Sequence, residues 1–202
     1  RDRAVTVLGV THRLPEPFFV MATQNPVEME GTYPLPEAQL DRFLFKLEIT
    51  RNAVPVLQQL VMQREMGEEV ALPTVMTRQE LIEMLAWVRT VHLSEAVANY
   101  IARLVDATHP GQSAAAAGVR YGASPRAALA LAAAAKARAF LHARSYVAFE
   151  DVRELAVLVL RHRVVLDYQA RLEGRTARDV VAAVLEEVPF QEIELPRTLA
   201  AR

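Results

Sequence analysis

The hydrophobic period of the chain changes near residue 51, and that change restricts the fold more than any other feature of the sequence. Ahead of it, Val5-Thr6-Val7-Leu8-Gly9-Val10-Thr11-His12 alternates around Leu8-Gly9, where glycine accepts the positive φ that a tight hairpin turn requires. A β-hairpin over residues 4–13 is predicted. After Pro15 and Pro17, the run Phe18-Phe19-Val20-Met21-Ala22-Thr23 is continuously apolar, as in a strand buried on both faces of a parallel sheet. A loop holding Gly31, Pro34 and Pro36 then leads to a short helix through Arg42 and to a second strand-like run, Leu44-Phe45-Lys46-Leu47-Glu48-Ile49. Beyond residue 53 the period becomes helical, with Val97, Ile101, Leu104 and Val105 on one face of a helix and Val152, Leu155, Ala156 and Val159 on one face of another. Four to six helices are expected there. The expectation is thus an α/β part at 1–51, with a hairpin and two sheet strands, followed by a helical domain at 52–202.

Composition narrows the function classes. With 202 residues, of which 52% are hydrophobic, the chain can bury a sizeable core. A net charge of −1, with no tail concentrating Lys or Arg, gives no electrostatic ground for nucleic-acid binding. No run approaches the ~20 apolar residues that a bilayer-spanning helix needs, and no basic-then-apolar leader opens the chain. The absence of cysteine excludes disulfides and thiolate metal sites, which fits a reducing, cytoplasmic setting. The first residue is Arg1, not Met, and a strand-like alternation begins by residue 5. A piece of a larger protein is expected.

Several familiar chemistries are missing. The lysines are Lys46 and Lys136, and neither follows the glycine-rich pattern of a phosphate-cradling P-loop. Glu150-Asp151, after Tyr146-Val147-Ala148-Phe149, imitates a Mg²⁺-holding strand end but runs directly into an amphipathic helix. Carboxylates at a helix start that complement its dipole are the better reading. Gly122-Ala123-Ser124-Pro125-Arg126 begins like a nucleophile elbow, yet Arg126 stands where the second glycine is needed. His12, His92, His109, His142 and His162 form no pair at helical spacing, so no zinc site is expected. The turn residues His109-Pro110-Gly111-Gln112-Ser113 read as a surface loop. Arg161-His162-Arg163 reads as a basic helix C-terminus.

Three residues stand out. Asn25 follows the apolar run directly and precedes Pro26, which ends a strand. Its amide is presented where open α/β sheets gather ligands, although an Asx-type turn accounts for it equally. Arg42, between Asp41 and Phe43, can offer a planar fork to a phosphate, or simply pair with Asp41 or Glu37. Arg126 breaks a local rule. Ser124 suits an N-cap and Pro125 a first helical position, which places a cation in the first turn against the helix dipole. An arginine beside a helix N-terminus makes an anion site.

Together these motifs resemble the MoxR family of AAA+ ATPases. Pro15-Glu16-Pro17-Phe18-Phe19-Val20-Met21-Ala22-Thr23-Gln24-Asn25-Pro26 is similar to the family's sensor 1 strand. Glu30-Gly31-Thr32-Tyr33-Pro34-Leu35-Pro36-Glu37-Ala38-Gln39-Leu40-Asp41-Arg42-Phe43 continues the match. Gly122-Ala123-Ser124-Pro125-Arg126-Ala127 resembles sensor 2, and Val159-Leu160-Arg161-His162-Arg163 the lid. The resemblance implies the C-terminal part of a AAA+ P-loop ATPase core, at 1–51, followed by an all-α lid at 52–202. It makes Asn25 the sensor 1 that positions the attacking water. Arg42 becomes an arginine finger acting in the neighbouring subunit, and Arg126 a sensor 2 on the ATP phosphate.

By the same likeness, ATP and Mg²⁺ are cofactors held mainly by the Walker A and Walker B motifs, which are absent from this sequence, so the piece alone is expected to be inactive. The whole protein is expected to form a homo-oligomeric ring, by the family's likeness a hexamer, and to remodel or activate client proteins in a chaperone-like way. A von Willebrand factor A domain protein is an expected partner, and neither nucleic acid nor membrane is. The hairpin at 4–13 would face the pore or a partner. A nonenzymatic helical adaptor, and a chelatase- or helicase-type motor subunit, are the alternatives.

Overall fold

The computed structural model describes residues 4–24, 36–65, 67 and 71–190. The chain divides into two compact units, one built from 1–23 and 47–85, the other from 24–46 and 86–202.

In the first unit, β1 (Ala4–Val7) and β2 (Val10–Arg13) pair antiparallel, with Val7 opposite Val10 and Ala4 opposite Arg13. Leu8 and Gly9 take φ of 51° and 82°, the two positive values of a type I′ turn, whose twist matches that of the strands it joins. The predicted hairpin is therefore present. The strand predicted over Phe18–Thr23 is not: these residues belong to no ladder among the described residues. A buried parallel strand needs neighbours on both sides to bond its N–H and C=O groups, and no such neighbour lies among the described residues. Phe19, Val20 and Met21 consequently stay 71%, 61% and 84% exposed. The next element, α2 (Val54–Gln63), carries Pro55 in its first turn, where no N–H is missed. The start of α3 (Arg78–Thr90) is held by a reciprocal cap: Thr77 N–H and Oγ1 both donate to Glu80 Oε2 at 2.7 Å, and Glu80 N–H donates to Thr77 Oγ1 at 3.2 Å.

The second unit holds the core. Before it comes α1 (Glu37–Leu40), the short helix predicted ahead of Arg42. The strand predicted at 44–49 is also absent. Lys46 N–H donates to the carbonyl of Leu158 in a helix at 3.1 Å instead of to a strand, so the backbone here is bonded sideways to helical residues.

The main layers are α4 (Glu95–Asp106), α5 (Pro125–Leu141), α6 (Phe149–Leu160) and α8 (Ala177–Glu187), with the short α7 (Tyr168–Leu172) between α6 and α8. Tyr100 and Leu104 of α4, Leu131 of α5, Val152, Val159 and Leu160 of α6, and Val180, Val181 and Val184 of α8 are fully buried. Leu104, Val152 and Val159 among them belong to the helical spacings noted in the sequence. Ala127, Ala134, Ala135 and Ala139 form the buried side of α5, and their small side chains let α6 approach closely. Seven helices follow residue 53 among the described residues, more than the four to six expected. The excess comes from short pieces such as α7, too brief to show a period. A second small ladder, β3 (Val119–Tyr121) against β4 (Val165–Leu166), lies within the helical domain. At two or three residues per strand it leaves no readable alternation.

The acidic pair at 150–151 does start α6. Asp151 is fully buried, accepts the Ala148 N–H at 2.8 Å, and receives both forks of Arg144 at 2.7 and 2.5 Å. Burial pushes its pKa up, but these donors outweigh burial and hold it below the usual carboxylate value. A depressed acid contributes stability above its unfolded pKa, near 3.9, and that contribution is lost as pH falls through the lower folded value. Asp151→Ala, which strands a guanidinium, should cost about 3 kcal/mol or more in urea unfolding at neutral pH. Below about pH 4 the difference from wild type should shrink, and a pH-independent difference would contradict the assignment. The exposed apolar residues at 19–21 give a second expectation. The isolated chain should self-associate by light scattering, whereas a stable monomer would mean that these residues find cover within it.

Candidate functional site

The site is built where the turn after α1 meets the N-terminus of α5, both in the second unit. Ser124, in extended conformation, and Pro125 set the helix start as their residue types suggest. The Ser124 side chain does not cap the helix, however. It donates to both oxygens of the Asp41 carboxylate, at 3.1 and 3.3 Å. Arg126 Nη1 donates to Asp41 Oδ2 at 3.1 Å, and Arg163 Nε to Asp41 Oδ1 at 3.1 Å. The conflict between Arg126 and the helix dipole is thereby resolved: a carboxylate sits at the helix N-terminus, favoured by the dipole and by the arginine at once.

The three donors differ in setting. The Arg163 side chain is 1% exposed, that of Arg126 54%, and the carboxylate between them 23%. The Arg126 arm faces water and contributes little, about 0–1 kcal/mol. The Arg163 arm is desolvated, which pulls its pKa down from the ordinary guanidinium value while the Asp41 carboxylate pushes it up. It stays charged, and that burial is tolerated because every edge of the guanidinium is used. Nη2 donates to the carbonyls of Asp41 at 3.0 Å and Phe43 at 2.6 Å, and Nη1 to Leu44 at 3.4 Å and to Val159 in the last turn of α6. His162, beside it, bonds the Phe43 carbonyl through Nε2 at 3.0 Å. Burial, and the nearby charges of Arg163, Lys46 and Arg161, hold His162 below its ordinary pKa. The neutral ring therefore donates Nε2–H to that carbonyl.

The backbone leading into α5 is fixed from the other side. Thr108 Oγ1 accepts the Ala123 N–H at 2.9 Å and donates to the Val105 carbonyl at 2.6 Å, while His109 Nε2 lies 3.1 Å from the Ala123 carbonyl. Gly122 passes so near His109 that a Cβ would lie 2.6 Å from its Cγ and 2.8 Å from its Cα. His109 was legible only as a loop residue and Thr108 gave no signal, since nothing in sequence ties them to a motif some 15 residues away.

Of the predicted site residues, Asn25 lies outside the described residues. Arg42 is exposed, and its side chain makes no hydrogen bond or ion pair among the described residues. The pairing with Asp41 or Glu37 that its neighbours suggested is not found: Asp41 turns to the helical domain instead. Arg126 is brought to within one residue of Arg42 through Asp41. The Arg161-His162-Arg163 run does more than complement a helix end, since His162 and Arg163 grip the 41–44 backbone. Among the described residues no cluster of His, Asp or Glu could hold a metal ion, and no helix is long and apolar enough to cross a membrane.

Comparison with known proteins agrees with this architecture. Residues 1–45 match the ATPase family associated with various cellular activities (AAA), and residues 111–184 match the AAA lid domain. The chain is 42% identical to the uncharacterized protein YeaC of Bacillus subtilis, over 94% of its own length and 59% of that protein. To chaperone MoxR1 of Mycobacterium tuberculosis it is 36% identical, over 96% and 52%. To protein MoxR of Methylorubrum extorquens it is 31% identical, over 93% and 59%. A crystal structure of a candidate ATPase from Cytophaga hutchinsonii superposes with a TM-score of 0.86 at 38% identity, over 95% of this chain and 59% of that one. The class is therefore a AAA+ ATPase, here a part of the core followed by the helical lid. Within that class the chain belongs to the MoxR family, and it spans between about half and three fifths of the length of these relatives.

The close approach at Gly122 is open to direct test. Gly122→Ala should destabilise the lid by about 1–3 kcal/mol in urea unfolding, because the backbone of His109 cannot give way. An unchanged midpoint would show that the two segments separate freely.

Proposed function

We propose that this chain is the C-terminal part of a ring-forming ATPase that couples ATP hydrolysis to chaperone-like remodelling or activation of client proteins. The observation that carries the reading is the carboxylate of Asp41 on Arg126 and the α5 N-terminus. An arginine, a hydroxyl and a helix dipole already hold one anion there, which is the donor set a phosphate oxygen needs. The residue next to that anion is Arg42.

ATP, when bound, supplies the phosphoryl group that passes to water. The residues of this chain then have separate tasks. Arg126 binds the phosphate as sensor 2, on its own subunit's nucleotide or a neighbour's. Arg42, exposed and carried on a fixed turn, reaches into the adjoining subunit and stabilises negative charge as it develops. Asn25 orients the attacking water. Mg²⁺, like ATP, would be held mainly by the Walker A and Walker B motifs, which this sequence does not contain. An arginine finger serves a neighbour, so a closed homo-oligomer follows, proposed as a hexamer. The boundary near residue 51 between core and lid, the cytoplasmic location, and a von Willebrand factor A domain protein as partner belong to the same proposal.

The test is ATP turnover by the complete protein, wild type against Arg42→Ala, with nucleotide binding followed alongside. Turnover should fall by about 10³-fold while binding is kept. Equal turnover in the two proteins would remove Arg42 from the chemistry and leave another arginine to be tested as the finger, whereas no turnover in either would favour the nonenzymatic adaptor.

A further inference from the structure

We infer that Asp41 and Arg163 are positioning residues for Arg42: they fasten the turn that carries it to the helical lid, so that the finger follows the lid and the lid's arginine, Arg126, senses both. The inference rests on the reading of Arg42 as an arginine finger.

Arg42 is bracketed. The carbonyls of the residues on either side of it, Asp41 and Phe43, both accept from the same nitrogen, Arg163 Nη2, at 3.0 and 2.6 Å. The same guanidinium donates from Nη1 to Val159, so it is rooted in the last turn of α6. His162 Nε2 on the Phe43 carbonyl and Leu158 on the Lys46 N–H extend the attachment along the segment. Peptide groups flanking one residue are thus tied to one helix end, while the side chain of that residue is left exposed. A side chain on such a mount has its origin set by where α6 lies.

The chemistry of the mount argues for more than packing. An aliphatic residue would fill the volume of Arg163 without the penalty of burying a cation. A planar fork, by contrast, can satisfy two carbonyls and a carboxylate together, which a lysine cannot. Asp41 is the shared member: one carboxylate receives the buried Arg163 and the half-exposed Arg126. A phosphate drawing Arg126 away would leave Asp41 on Arg163 and Ser124, changing the hold on the turn without releasing it. Lid state and finger position are then linked through three adjoining side chains.

Spatial adjacency alone does not prove coupling, so the experiment is a double-mutant cycle in the complete protein. ATP turnover and nucleotide affinity are measured for wild type, Arg163→Met, Arg163→Lys, Asp41→Asn and Arg42→Ala, and for Arg163→Met, Arg163→Lys and Asp41→Asn each combined with Arg42→Ala. A misplaced catalytic group costs about 100-fold. Arg163→Met is expected to lower kcat by that order with nucleotide affinity kept, and Arg163→Lys is expected not to restore it. In the Arg42→Ala background neither should lower kcat further, since a mount without its finger has no effect on turnover. Additive losses, or full rescue by lysine, would overturn the inference by showing a general structural role or a simple charge effect. Unchanged kcat in both Arg163→Met and Asp41→Asn would also overturn it. Should Arg163→Met fail to fold, Asp41→Asn, which is isosteric and leaves Arg163's carbonyl bonds in place, decides by the same cycle. If Arg42→Ala itself leaves turnover intact, the finger reading has failed, an outcome recognisable before any cycle is computed.

Discussion

The buried cation Arg163 organises the site of this molecule. Arg163, at the end of α6, satisfies its guanidinium entirely on the 41–44 backbone, the Asp41 carboxylate and the Val159 carbonyl. Removing a charge from water is tolerated only when its hydrogen bonds are replaced in full, and here the replacement partners are peptide groups of an otherwise irregular segment. Those carbonyls, in turn, gain the donors that a sheet would have supplied. The turn bearing Arg42 has its geometry because a helix end requires its oxygens.

That arrangement depends on a rigid lid. The alanine face of α5 against α6, with Tyr100, Leu104, Leu131 and Val159 filling the space between helices, fixes the end of α6 relative to the start of α5. Asp41 can bridge Arg163 and Arg126 because those two arginines, 37 positions apart in sequence, are presented side by side. Thr108, His109 and Gly122 hold the approach to α5 from behind. Core packing thus reaches the site through backbone hydrogen bonds, and a change in either would be felt at Asp41.

The segments expected as strands show the opposite case. Phe18–Thr23 and Leu44–Ile49 have the composition of buried parallel strands, yet neither pairs. Their apolar character remains visible as exposure, with Met21 and Ile49 at 84% and 95%. Side-chain composition says what environment a segment suits. Ladder formation needs a partner strand at about 4.8 Å, and composition cannot provide one.

Local rules were enough to determine the hairpin turn at Leu8-Gly9, the helical faces of α4 and α6 and the proline-led start of α5, because each is carried by residues close together in sequence; the family was legible through the resemblance of its motifs. The same rules marked Arg126 as anomalous, since a cation in a first turn opposes the dipole wherever it occurs. What relieves that conflict was beyond them. Asp41 lies 85 positions from Arg126 and 122 from Arg163, and no periodicity or capping rule spans such distances. Only the folded lid decided that Asp41 turns away from Arg42, that Arg163 is buried and not a solvated helix end, and that Ser124 gives its hydroxyl to a carboxylate in place of its own helix. The physical reason is the same in each instance: hydrogen-bond partners are chosen by proximity in space, and for a buried charge the choice must be complete.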